Sequence, residues 1–184
     1  MRSFAGFVLA IATVLVISAC TSPAPAPPPA PVYDTTRTIK EVMKSMVEPA
    51  ADTLWNSVAT NVTTTGTEVK APQNDKDWLN VRREAIVLIE AMNLITMPER
   101  HMAPPGTKSD NPGSELEPDQ IQALVTQDRE SFTKLAHALQ DTGLAALKAI
   151  DAKDTEALNS AGGDIDMACE SCHTKYWYPN KKAS

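Results

Sequence analysis

Polar and apolar residues alternate along the chain in four stretches with a repeat near 3.6, the period that lines one face of an α-helix. In the first stretch Ile39, Met43, Met46, Ala50, Leu54 and Val58 predict a helix from Thr35 or Thr36 to Val58 or Asn61. Pro49 lies inside it; with no N–H to bond the carbonyl of Ser45, it predicts a kink or break. The second, with Trp78, Val81, Ala85, Leu88, Met92 and Ile95, predicts a helix from Asp75 or Asp77 to about Met97, just before Pro98. The third, with Ile121, Leu124, Phe132, Leu135, Leu139, Ala146 and Ile150, predicts one helix opening at Pro118 and ending at Ile150 or Asp151. The fourth begins near Asp154, a good capping residue, and runs to Tyr176 through Leu158, Ala161, Ile165, Cys169 and Cys172. Gly162-Gly163 in its middle costs about 2 kcal/mol against two alanines, so the pair predicts close approach of a neighbouring helix.

Between these stretches, residues 60–74 read as a turn-forming loop and residues 98–117 as a long loop rich in Pro, Gly, Ser and Asp. No alternating strand pattern and no Asn-Gly or Asp-Gly turn stands out, so the expected fold class is all-α. Four amphipathic helices of these lengths make a four-helix bundle the natural architecture, and bundle interiors often hold a cofactor.

The N-terminus is a different kind of segment. Arg2 precedes an apolar run from Phe4 to Ile17 that is short for a membrane span, and small residues follow, so residues 1–19 read as a processing signal. Its end, Ile17-Ser18-Ala19-Cys20, resembles a bacterial lipobox, which implies cleavage before Cys20 and lipidation of its sulfur. An ordinary signal peptide cut nearby is the plainer alternative. Thr21 in place of an aspartate after the cysteine implies, by the same resemblance, the outer membrane of the cell envelope, facing the periplasm. Residues 20–33 then form a proline-rich, semi-rigid tether, leaving residues 34–184 as one domain. Formal net charge is −6 for the whole chain, and loss of residues 1–19 removes Arg2 and makes it −7, which excludes a nucleic-acid binder.

The candidate chemistry sits near the C-terminus, in Cys169-Glu170-Ser171-Cys172-His173. Cys-x-x-Cys-His is the spacing that attaches one covalent haem c: each thiol adds to one porphyrin vinyl group, and the histidine reaches the iron as an axial ligand. On a helix, Cys169, Cys172 and His173 share one face. A redox dithiol belongs with a strand-helix-strand pattern that is missing here, and a zinc site lacks further ligands at suitable spacing. A local disulfide leaves His173 and the cluster Tyr176-Trp177-Tyr178 without a reason. With Cys20 assigned to lipid, all 3 cysteines of the chain have a role, and export suits thioether assembly.

Helices in this order, with Cys169 to His173 on the last one and only a short tail beyond, resemble the class II c-type cytochromes, the cytochrome c′ and cytochrome c-556 group. The resemblance covers residues 36–179, and its one specific motif is Cys169 to His173. It implies an antiparallel four-helix bundle, often a homodimer, with His173 as proximal iron ligand. In the c-556 type a methionine on the first helix is the sixth ligand; in the c′ type that position is open to NO or CO. Lys40-Glu41-Val42-Met43-Lys44 is similar to the ligand-bearing stretch, which nominates Met43 as distal ligand, with Met46 in reserve; as alternatives both are core fillers. The family's arginine after the haem motif is replaced here by Tyr176-Trp177-Tyr178. His101 and Met102 in the long loop read as exposed, with an iron ligand from this loop as the alternative, and His137 reads as outside the core.

The expectation is therefore a membrane-tethered monohaem electron carrier with His173 and Met43 on the iron, serving periplasmic redox partners. The alternative is a five-coordinate binder of NO or CO, and a third reading is a structural lipoprotein without haem. No catalytic constellation stands out, so no enzyme is expected.

Overall fold

The computed structural model of the chain describes residues 33–179. The expected processing signal, Cys20 and most of the tether therefore lie outside the described residues. Helices α1 (Ile39–Val42) and α2 (Glu48–Ser57) are joined by a π-helical turn at Met43–Val47 into one rod. A hairpin of β1 (Ala59–Thr63) and β2 (Gly66–Lys70) follows, then α3 (Asp75–Ile95), α4 (Pro118–Gln127), α5 (Arg129–Asp151) and α6 (Thr155–Tyr176). The rod, α3, α5 and α6 make the four-helix bundle, with α5 packed on both α3 and α6.

The helix starts obey local chemistry. Thr38 and Glu41 form a capping box, Asn74 accepts from the amides of Lys76 and Asp77, and Asp154 accepts from Ala157 N at 2.9 Å. Inside, Leu54, Leu88, Met92, Ile95, Val125, Leu158 and Ile165 are fully buried. As Gly162 predicted, a neighbour approaches closely: Trp55 donates its indole N–H to Gly162 O at 2.9 Å, and α6 runs through both glycines unbroken. A second close approach lies at Gly143, where a Cβ would sit 3.0 Å from Ile89 Cγ1.

Three expectations are corrected. Pro49 does not break the first helix; the turn before it widens, Glu48 N bonding to Met43 O five residues back, and the rod continues. A π turn is one of the ways a helix accommodates a residue that cannot donate. The predicted loop at residues 60–74 contains the hairpin, paired Thr60↔Val69 and Val62↔Thr67. Its second strand is exposed throughout, so burial never demanded the apolar alternation that would have announced it. The third predicted helix is two, because Asp128 leaves helical geometry at φ −131 and ψ 59 and caps α5 with its own carboxylate, accepting from Ser131 N.

The long loop after α3 is tied down by Arg100, a buried residue whose guanidinium donates to Leu94 O at 2.7 Å, Asp34 O at 3.3 Å and Arg37 O. Ile39 and Lys40, whose amides face no helical partner, donate instead to His101 O and Met102 O at 2.9 and 2.8 Å. Loop and rod thus start from one joint.

Gly163 is exposed in α6 with nothing within 4 Å of a Cβ placed there. Gly163→Ala is expected to stabilise the domain by about 1 kcal/mol, read as a higher urea midpoint, whereas Gly143→Leu lowers the midpoint by forcing the α3–α5 contact apart. An unmoved midpoint for Gly163→Ala rules out helix propensity as the cost of that glycine.

Candidate cofactor site

Along α6 the residues Cys169, Cys172, His173 and Tyr176 recur at three and four positions, continuing the stripe of Leu158, Ala161 and Ile165 that fills the core. Where the stripe reaches the motif the core is hollow: a cavity of about 370 Å³ opens between α6, the rod, α5 and the long loop. That volume lies in the roughly 300–1,000 Å³ range of cofactor pockets. Its walls include Ile39, Met43 and Val47 of the rod, Met102 of the loop and Phe132 of α5. Lys40, Lys44 and Lys108 stand among the polar residues that line it; Lys40 pairs with Asp110 at 2.9 Å and Lys44 with Glu48 at 3.5 Å.

The expected site residues divide cleanly. Cys169, Cys172, His173 and Met43 line this one cavity, while Met46 packs half-buried against the core and is not part of the wall. His101 and His137 are exposed, as expected. Met102 is not the exposed residue the sequence suggested: it is half-buried in the wall, its amide donating to Gln122 Oε1 at 2.7 Å and its carbonyl accepting from Lys40. Trp55, which closes part of the cavity, was also unforeseen, because it stands off the apolar stripe of Ile39, Met43, Met46, Ala50, Leu54 and Val58 and the period gave no signal for it.

The electrostatics suit attachment through thioethers and an imidazole. Burial pushes the thiols of Cys169 and Cys172 up to about 11, with the charge of Asp166 adding to the first and Cys169 to the second. Burial also holds the His173 imidazole below its ordinary value, against the opposing charge of Glu170. Near neutral pH the two thiols are therefore protonated and the imidazole is neutral, with a lone pair available for a metal. The cysteines are not bridged. Among the described residues no group of three or more His, Cys, Asp or Glu is placed to hold a metal ion, and no helix is long and apolar enough to cross a membrane. The donor set and the cavity fit a haem attached through Cys169 and Cys172 with His173 on the iron.

Beyond α6 the chain folds back over the motif. Leu116 N donates to Trp177 O at 2.8 Å, and Tyr176 Oη donates to Asp128 O at 3.2 Å while its ring meets Phe132 edge-on at 5.7 Å. Lys175 pairs with Asp128 at 2.8 Å. The residue that breaks α4 from α5 thus also anchors the end of α6.

In the haem-free protein the folded state keeps both thiols protonated to about 11, while an unfolded chain releases them near the ordinary 9.0. The raised folded values contribute stability that is complete below pH 9 and lost as pH climbs towards 11, where the unfolded state binds fewer protons. The urea midpoint should fall across that window, and less steeply in a Cys169→Ala, Cys172→Ala double variant. Equal slopes in the two proteins would remove the thiols as the cause.

Comparison with known proteins identifies a family for the chain. A family model described as Cytochrome C′ matches residues 57–177. No curated protein matches the chain. Among solved structures, a ferrous variant of cytochrome c prime from Alcaligenes xylosoxidans is 18% identical over 77% of this chain and 97% of that one, at a TM-score of 0.45. A nitric oxide complex of another mutant of that protein is 22% identical over 76% and 95%, at 0.46. A further cytochrome c′ is 20% identical over 76% and 97%, also at 0.46.

Proposed function

The chain belongs to the cytochrome c′ family, whose members carry one covalently bound haem c, and from that premise we propose a haem protein with five-coordinate iron that binds NO or CO. The observation that carries the reading is the family match over residues 57–177, which takes in Cys169, Cys172 and His173. It leaves out the stretch around Met43 on which six-coordinate ligation was expected, so that ligand has no support from the family. The haem supplies an iron that takes a neutral diatomic ligand and exchanges one electron.

The chain's own residues do the rest. Cys169 and Cys172 would hold the haem as thioethers on its two vinyl groups, which would leave no ionisable sulfur in the apolar cavity. His173, kept neutral by burial, offers its ring nitrogen to the iron. Ile39, Met43, Val47 and Phe132 make an apolar wall that favours a neutral gas over an anion.

A second reading keeps one specific observation in its favour: Met43 lines the same cavity as His173, whereas Met46 does not. In it Met43 sulfur is the sixth ligand and the protein passes single electrons between periplasmic redox partners. Absorption spectra of the ferric and ferrous protein with and without CO separate the two. A high-spin ferrous protein that shifts on adding CO, with a Met43→Ala variant of the same spin state, is the expected result. A low-spin protein indifferent to CO, turned high-spin by Met43→Ala, would establish the second reading instead.

Cys20, in its lipobox-like setting, makes the proposal one of a lipid-anchored protein at the periplasmic face of the bacterial outer membrane, as a homodimer of the kind frequent in this family. Replacing Cys20 by serine should move the protein from the membrane fraction to the soluble one. Retention in the membrane fraction would rule out Cys20 as the anchor.

A further inference from the structure

Glu170 and His173 are three residues apart on α6, close enough for their side chains to meet on the helix surface. A carboxylate in that position is a common partner for the second ring N–H of a metal-bound histidine, where it raises the donor strength of the imidazole. In this chain the carboxylate is engaged elsewhere. Past the end of α6 the amides of Trp177 and Tyr178 both donate to His173 O, at 2.8 and 3.0 Å, and this turn brings the Tyr178 side chain back over the helix. Tyr178 Oη then donates to Glu170 Oε2 at 2.5 Å. The His173 ring meets two aromatic rings there, Trp177 edge-on at 5.0 Å and 89° and Tyr178 at 6.0 Å and 63°. Among the described residues no acceptor is hydrogen-bonded to the His173 imidazole.

We propose that Tyr178 is a positioning residue that keeps the Glu170 carboxylate from hydrogen-bonding to His173, so that His173 stays a weakly donating iron ligand. The inference rests on the reading of His173 as the proximal ligand. A weakly donating imidazole leaves more positive charge on the iron, favours the ferrous state, and makes the iron–histidine bond easier to stretch. It would also explain why an aromatic pair stands here after the haem motif: the tyrosine hydroxyl competes for the one acidic side chain between the two cysteines.

The test uses the haem-loaded protein, read by resonance Raman spectroscopy of the ferrous state and by redox titration. Tyr178→Phe keeps the ring and removes only the hydroxyl that bonds Glu170 Oε2. The iron–histidine stretching band should move to higher frequency and the midpoint potential should fall. Adding Glu170→Gln to that variant should return both to their original values. An unchanged band and potential in Tyr178→Phe overturn the proposal, and so does a shift that survives Glu170→Gln, because its source would not be the carboxylate. A six-coordinate ferrous spectrum in the unaltered protein would count against the five-coordinate function alone; the potentials of the two variants would still decide the role of Tyr178.

Discussion

Helix α6 has one apolar face and uses it twice. From Leu158 to Ile165 that face is closed against the other helices, and from Cys169 to Tyr176 the same stripe borders a cavity. A bundle can hold a hollow of this kind only if its wall is anchored from outside the stripe, because an apolar gap forfeits the contacts that would otherwise hold the helices together. Here the anchoring comes from polar groups at the ends of the elements: Asp128 accepts from Lys175 and, through its carbonyl, from Tyr176, and Leu116 N bonds Trp177 O. A covalently attached cofactor filling the hollow would restore the missing contacts.

The opposite wall depends on a joint between loop and rod. The first amides of α1 have no partners within their helix and bond to the carbonyls of His101 and Met102, so the rod that carries Met43 and the loop that carries Met102 are placed by the same two hydrogen bonds. Arg100 stabilises this joint from below, its buried charge resting on carbonyl oxygens, including Leu94 O at the end of α3 where helix dipoles favour a cation. The π turn at Met43–Val47 belongs to the same region, and widened turns of this type often occur where a helix meets a functional site. Pro49 supplies a local cause for it that needs no appeal to function.

Much of this was legible in the residues. The apolar stripes of α3 and α6 were read nearly to their ends because both are long, periodic and capped by Asn74 and Asp154. The attachment motif was legible because its chemistry depends on spacing along a single helix, and Gly162 announced a close neighbour because glycine in a helix interior is costly without one. The hairpin at Ala59–Lys70 escaped because an exposed two-stranded ribbon needs β-branched residues and a turn, not a buried face, and the break at Asp128 escaped because the apolar period continues across it.

By itself the sequence determined the all-helical class, the four-stripe bundle and the placing of Cys169, Cys172 and His173 on one face of the last helix, since each follows from local periodicity or from spacing within one helix. It also determined which family the motif and helix order resemble. Only the tertiary structure decided that Met43 and Met102 border the cavity while Met46 does not, and that Tyr178 engages Glu170. Those facts depend on the rotation of the rod, on a loop held by backbone hydrogen bonds, and on a turn past the end of α6. None of these leaves a period in the chain, because each is fixed by contacts between segments far apart in sequence or by backbone geometry that many residues allow.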